Sequence, residues 1–183
     1  PFPHLWFMSR AGDPYDWYLG YAEDDVGRPI VASSTLGGVI GKPITAIIPH
    51  TDDYLIFATI SELWVLRGDP ALGGVMDRLS GTVGIVDRTA WCYGPQGETF
   101  FLSRDGLYRL PPGAGVFPES LSRESIPLEL TNVDTKFAMI HMGYDLRHKK
   151  IHIYQTFKFN TKGKHFFWDY RLPGFWPVTI PST

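Results

Sequence analysis

The chain has 183 residues, of which 44% are hydrophobic and 15% aromatic, and its formal net charge is -2 at pH 7. This length supports one domain with its own core, and this composition excludes a disordered tail. A net charge this close to zero does not attract nucleic acid or an anionic membrane over long range, so direct recognition of DNA is not expected.

The first predicted strand runs from Leu5 to Met8 and ends in a turn that contains Pro14, since proline lacks the N–H that a ladder needs. From Tyr15 to Gly41 the chain is polar and rich in glycine. This composition predicts a surface loop with one short strand near Ile30–Ala32. Loops of this kind carry most contacts to partners.

The next elements form a strand followed by a hairpin. The apolar run Ile44–Pro49 predicts a strand buried on both faces. Two β-forming runs, 54–59 and 62–68, predict the hairpin, and residues 71–80 are predicted to be a connection that carries Leu72, Val75 and Met76.

The clearest hairpin signal lies in Thr99–Leu110, where the Asp105–Gly106 pair separates two β-forming runs. The apolar runs 84–86 and 89–93 precede it and are predicted strands. After it, residues 120–130 could form one short helix capped by Ser120 or Ser122 and limited by Pro127.

The last unit has the most complete pattern. Strands are predicted over 137–145, 150–155, 165–170 and 175–178, with a turn at 146–149. Within 150–155, period-2 alternation places His152 and Tyr154 on one face and Ile151 and Ile153 on the other, as in a half-buried strand.

Equivalent strands recur at intervals of roughly 45 to 51 residues, close to the period of a four-stranded propeller blade. The sequence therefore predicts an all-β fold of β-propeller-like repeats of antiparallel four-stranded blades. We expect about four blade-like units, at 1–43, 44–83, 84–136 and 137–183. Since the chain starts with Pro1 and four blades rarely close a ring, we expect it to be an excerpt of a longer chain.

The chain shows few signals of chemistry. Its six histidines form no compact ligand set, and its single cysteine, Cys92, lies in an apolar strand and excludes a disulfide scaffold. The aspartates at 52, 53, 105, 145 and 169 lie at strand ends and turns, where Asp is favoured for local hydrogen bonds. We therefore assign no catalytic, cofactor-binding or metal-binding residue and expect no cofactor and no enzymatic activity. No stretch approaches the roughly 18 apolar residues of a membrane span.

Candidate partner contacts lie at the edges of segments and in the predicted loops. They are Trp17, Tyr18, Asp24, Asp25, Leu72, Phe175 and Trp176.

The run LWFMSRAGDP at 5–14, the strands at 44–48 and 54–57, and ELWVLRG at 62–68 together resemble the β-propeller of tail nozzle proteins (tail tubular protein B type) of short-tailed bacteriophages. Residues 79–85 and the hairpin at 97–110 are similar to the next part of that pattern. A nozzle subunit is much longer and has a platform region that joins the tail adaptor, which is not recognisable in this sequence.

The resemblance implies a structural virion protein of the phage tail, assembled in the host cytoplasm, that forms part of the nozzle or tail tube conducting DNA during ejection. It implies self-association in a ring, such as a hexamer, contacts with tail adaptor and tail fibre or plug proteins, and passage of genomic DNA without specific binding. Two alternatives stay open: a propeller carbohydrate-active enzyme, with converging carboxylates in one pocket, and a receptor- or glycan-binding module, with exposed Trp and Tyr around one opening.

Overall fold

The protein is described by a computed structural model that covers residues 6–31, 40–69, 74–113, 117–122, 125–131 and 133–179. Apart from one four-residue helix, the regular secondary structure of these residues is all β. The strands are β1 (Phe7–Met8), β2 (Ile30–Val31), β3 (Ile44–Thr51), β4 (Tyr54–Thr59), β5 (Leu63–Arg67), β6 (Val75–Ser80), β7 (Trp91–Tyr93), β8 (Thr99–Ser103), β9 (Gly106–Leu110), β10 (Glu119–Ser120), β11 (Ala138–Asp145), β12 (Lys150–Phe157), β13 (Asn160–Asp169) and β14 (Phe175–Val178), and a helix α1 (Leu128–Thr131) precedes β11.

The strands form three antiparallel four-stranded sheets in which chain neighbours are sheet neighbours: sheet A (β3 to β6), sheet B (β7 to β10) and sheet C (β11 to β14). Strands β1 and β2 form a separate antiparallel pair, the N-terminal ribbon. Each sheet is thus a simple meander, and several of its strands are followed by Gly, Asp or Pro, which favour turns.

The three sheets share one hydrophobic core. Alternate residues of successive strands point into it, among them Ile56 of sheet A, Phe100 of sheet B and Ile153 of sheet C. All three have at most 1% of their surface exposed. Since each sheet alone has too little apolar surface to be stable, packing against the next sheet supplies most of the stabilisation.

Hydrogen bonds from loop residues join neighbouring sheets near their first strands. Between A and B, the Ile85 amide donates to the Thr59 carbonyl at 2.9 Å, and Thr45 Oγ1 donates to the Ile85 carbonyl at 2.8 Å. His50, which is 6% exposed, contacts Thr99 Oγ1 at 3.1 Å and the Pro111 carbonyl at 3.0 Å.

The joint between B and C is built the same way. Asp87 Oδ2 accepts the Ile140 amide at 2.9 Å, Thr89 Oγ1 donates to the Ile140 carbonyl at 2.6 Å, and the Met142 amide donates to the Thr89 carbonyl at 3.1 Å. These bonds fix one sheet relative to the next with specific partners as well as with apolar contact.

The N-terminal ribbon covers the face of sheet A that points away from sheet B. Trp6, Ile30 and Ile40 pack there against Phe57 and Leu66. The Trp6 and Phe57 ring centroids are 5.6 Å apart. Sheet A is therefore covered on both sides.

Several predicted elements are confirmed. The Thr99–Leu110 hairpin is present, with Arg104 and Asp105 at its tip and Gly106 paired with Ser103. The hairpin of β4 and β5 and the strands of the last unit also lie where the pattern predicts them. The alternation in β12 is confirmed, since Ile151 and Ile153 are buried and Tyr154 is exposed.

Other predictions were wrong. β3 is not buried on both faces, because Ile47 is 49% exposed on the face of sheet A that the N-terminal ribbon covers only in part. The stretch predicted as a connection contains β6, which is the charged edge strand of sheet A. There Asp77 Oδ2 lies 3.3 Å from Arg67 Nε, and Arg78 lies over the ring of Trp64. Charged edge strands resist further pairing, and their polarity explains why the run resembled a loop.

The helix predicted within residues 120–130 also starts later than expected, at Leu128. Ser120 lies in β10, and Ser122 Oγ accepts the Leu107 amide at 2.8 Å rather than capping a helix. Helix α1 begins only after Pro127, which cannot continue an upstream helix. Residues 84–86 form no strand, although the Ile85 amide bonds to the first sheet. Leu5, Ala32 and Leu72 lie outside the described residues.

Candidate interaction surfaces

The loop at 9–29, which joins the two strands of the N-terminal ribbon, is held in one shape by its own carboxylates. Asp25 accepts the Gly27 amide and pairs with Arg10, both at 2.9 Å. Asp16 accepts the Tyr18 amide at 3.0 Å and the hydroxyl of Tyr21 at 2.5 Å. These bonds lower the pKa of both carboxyl groups: the hydroxyl of Tyr21 contributes most for Asp16, and the Gly27 amide for Asp25.

This ordered loop displays large aromatic and apolar side chains. Tyr15, Trp17, Tyr18 and Leu19 are 90%, 54%, 66% and 57% exposed. Glu23 and Asp24 are exposed beside them, whereas Asp25 is engaged in the ion pair within the loop. Of the predicted partner contacts in this segment, Trp17, Tyr18 and Asp24 are thus accessible to a partner, and Asp25 has a role in holding the loop.

A cavity of about 440 Å³ lies between the N-terminal ribbon and sheet A. Its lining includes the apolar residues Met8, Leu55 and Leu66 and the charged residues Arg28, Asp52, Asp53 and Asp69. An apolar lining with a few polar groups is the usual form of a small-molecule site. The arrangement suits a neutral or cationic ligand with hydrogen-bond donors.

The outer face of sheet C, which points away from sheet B, is exposed and aromatic. Cross-strand pairing brings its side chains together, because His152 is opposite Phe167, which is opposite Trp176, and Tyr154 is opposite His165. We call these five residues the C face. Tyr154 and Trp176 are 39% and 47% exposed.

The rings of the C face form a stacked, hydrogen-bonded array. The rings of Tyr154 and His165 are nearly parallel, with centroids 4.1 Å apart, and His152 Nδ1 lies 2.8 Å from His165 Nε2. That distance requires a single proton between the two nitrogens. The pKa of His165 is lowered, mainly by burial and then by the neighbouring His152, so both effects favour its neutral form.

A carboxylate and basic residues border this array at the β11–β12 turn. Asp145 Oδ2 contacts His148 Nδ1 at 2.6 Å, and Asp145 Oδ1 accepts the amides of Arg147 and His148. The hydrogen bond from the His148 ring is the largest of the causes that lower the pKa of Asp145 to about 2. Lys150 Nζ lies 3.9 Å from the ring centroid of Phe167. The C face thus has an apolar centre and a mostly cationic edge.

Phe175 and Trp176, paired in the sequence as candidate contacts, point in opposite directions. Phe175 packs inward on Trp168, with ring centroids 5.0 Å apart, whereas Trp176 points outward. Sequence analysis did not select His152, Tyr154, His165 and Phe167. The signal that could have found them is the register of β12 with β13, which aligns alternate polar and aromatic positions on one face.

Several of the groups weighed as catalytic candidates are engaged locally or withdrawn from solvent. Burial raises the pKa of the Cys92 thiol to about 12, which removes the thiolate that a nucleophile requires. Asp105 accepts the hydroxyl of Tyr108 at 2.6 Å, and Asp169 Oδ1 accepts the Arg171 amide at 2.8 Å. Within the described ranges, no group of three or more His, Cys, Asp or Glu side chains is arranged to hold a metal ion. No helix in this part of the chain has the length and apolarity to cross a membrane.

The chain matches no protein-family model and no curated protein.

Proposed function

We propose that this chain is a structural component of a bacteriophage tail, in which its sheets act as blades of a β-propeller in the nozzle or tail tube. The single observation that carries the proposal is the chain-order meander of sheets A, B and C, packed through one core. Successive four-stranded meanders arranged face to face are the building plan of a propeller. The same segments carry the resemblance to tail nozzle proteins.

The role is architectural. Rigid sheets joined by inter-sheet hydrogen bonds make a stable wall, and the ordered 9–29 loop and the C face offer surfaces for neighbouring subunits. The partners are further copies of this chain in a ring, the tail adaptor, and fibre or plug proteins, and DNA passes without specific binding. The protein resides in the virion and is assembled in the host cytoplasm.

Localisation in phage particles tests this proposal. Antibodies against the chain should label one end of the tail of gradient-purified virions, and the chain should stay with infectious particles through repeated banding. A preparation of host protein that lacks phage serves as the control. Absence of the chain from purified virions would contradict the proposal.

The cavity beneath the N-terminal ribbon favours a second candidate, a glycan-binding or carbohydrate-active propeller. Tyr54 in its lining could stack on a sugar ring, and the carboxylates of Asp52 and Asp53 could accept hydrogen bonds from the sugar hydroxyls. Calorimetric titration with a panel of oligosaccharides tests this, with Asp52→Asn and Asp53→Asn as variants. Saturable binding that both substitutions weaken would favour this second function.

A further inference from the structure

We propose that copies of this chain associate head to tail, with the C face of one copy packed against the N-terminal ribbon and the 9–29 loop of the next. This inference deepens the self-association in the proposed function and rests on it. The two surfaces differ from each other, so the contact is heterologous.

The C face has the composition of an interface centre. The opposite side of sheet C is buried in the shared core, whereas the C face exposes Tyr154 and Trp176 around the half-buried Phe167. Tyr and Trp are the residues that most often dominate binding energy at interfaces. Exposed Arg147 and Lys149 lie in the turn beside it, and the structure gives neither an ion pair with a described residue.

The N-terminal end of the molecule has a matching apolar centre. Met8 is opposite the buried Ile30 and so faces sheet A, whereas Phe7, opposite Val31, faces away from it and is 50% exposed. The 9–29 loop adds exposed Trp17 and Tyr18. This end therefore also carries apolar side chains that sheet A does not cover.

The two ends carry opposite charge. Residues 133–179 contain eight Lys or Arg and three Asp or Glu, a formal charge of +5, whereas residues 6–31 contain five Asp or Glu and two Arg, a formal charge of -3. Asp13, Glu23 and Asp24 are exposed at the acidic end. Complementary potentials favour contact between the C face and the acidic end, and like charges oppose contact between two C faces.

A second copy fits this pattern better than other occupants. An anionic polymer such as single-stranded DNA would suit the cationic, aromatic C face, but it would leave the acidic apolar end without a partner. Another copy of the chain covers both surfaces with one type of contact. Repetition of that contact gives a closed ring or an open filament.

Two variants test the proposal by sedimentation velocity. Variant C carries Tyr154→Glu and Trp176→Glu, and variant N carries Phe7→Lys and Trp17→Lys. All four side chains are exposed, so far-UV circular dichroism and the urea-unfolding midpoint should show that both variants keep their fold. Phe117→Glu, at a 71% exposed position in neither surface, is the matched control.

The wild type and the control should self-associate, and association should weaken several-fold as salt rises from about 50 to 500 mM because it is partly ionic. Each variant alone should be a monomer. A mixture should give a 1:1 heterodimer and nothing larger, because variant C keeps its acidic end and variant N keeps its C face.

Three results would overturn the inference. A wild type that stays monomeric at about 0.5 mM has no such contact. A variant N that still self-associates indicates a symmetric contact between C faces, and failure of the mixed variants to form a heterodimer excludes contact between the two named surfaces. Self-association that survives in both variants would leave the tail proposal intact, and antibody labelling of virions tests that proposal independently.

Discussion

Replacing Phe100 with alanine should destabilise the whole molecule, because this side chain fills the joint between sheets B and C. Phe100 is fully buried. Its ring stacks on Tyr144 with centroids 5.8 Å apart and meets Tyr170 edge-on at 5.6 Å. A Phe→Ala change in a core costs about 3 to 5 kcal/mol, and each aromatic pair adds about 0.5 to 1.5 kcal/mol beyond the buried area.

We therefore expect Phe100→Ala to lower the free energy of unfolding by about 4 kcal/mol, a large share of the roughly 5 to 15 kcal/mol typical of a domain. Urea unfolding followed by circular dichroism measures this loss from the shift in midpoint. Amide exchange should show that the loss reaches sheet C, since Tyr144 and Tyr170 belong to that side of the joint.

Two controls separate the joint from general effects of mutation. Phe100→Leu keeps most of the volume but loses both ring pairs, so its cost should lie clearly below that of Phe100→Ala without vanishing. Phe117→Ala, at an exposed position, should change stability by less than about 0.5 kcal/mol. A cost below about 1.5 kcal/mol for Phe100→Ala, or amide protection in sheet C that does not change, would refute a core shared by the sheets.

Three further results are expected. Burial lowers the pKa of His50, so as pH falls through about 6.5 the imidazole takes up a proton in the unfolded chain before it does so in the folded one. The free energy of unfolding of the wild type, measured by urea unfolding, should therefore fall between pH 8 and pH 5. A His50→Gln variant should lose less of its unfolding free energy over the same range. The pKa of Cys92 is raised from 9.0 to about 12, so at pH 8 the native protein has far less of the thiolate that reacts with iodoacetamide. Labelling of the native thiol should be roughly a thousandfold slower than labelling of the urea-unfolded thiol. Equal rates would contradict the burial of Cys92. Asp87→Ala leaves the Ile140 amide without its bond and should cost about 1 to 3 kcal/mol of unfolding free energy, whereas Asp24→Ala, at an exposed loop position, should be nearly neutral.

Much of the β structure could be predicted from local patterns. The Thr99–Leu110 hairpin and the strands of sheet C have strong alternation and clear turn residues, so their strand propensity, pattern and tertiary role agree. The strand at β6 was missed because Asp77 and Arg78 make it look like a loop. Its strand conformation is imposed by pairing with β5, a contact that lies outside any local window.

The interaction surfaces were harder to predict, because they depend on which side of a strand has a neighbour. Phe175 and Trp176 are adjacent and alike in the sequence, yet Phe175 packs against the core and Trp176 lies on the surface. The C face emerges only when the register of β12, β13 and β14 aligns residues from three strands. Similarly, Asp25 looked like a free acidic contact, and only the fold shows that Arg10 lies 2.9 Å from it.

Cryo-electron microscopy of the native particle that contains this chain is the most direct test of its proposed role. We expect the chain in several copies around the axis of a phage tail, with sheets A, B and C arranged radially as consecutive propeller blades. A particle without a tail, or a map in which these sheets do not surround a common axis, would contradict the proposal.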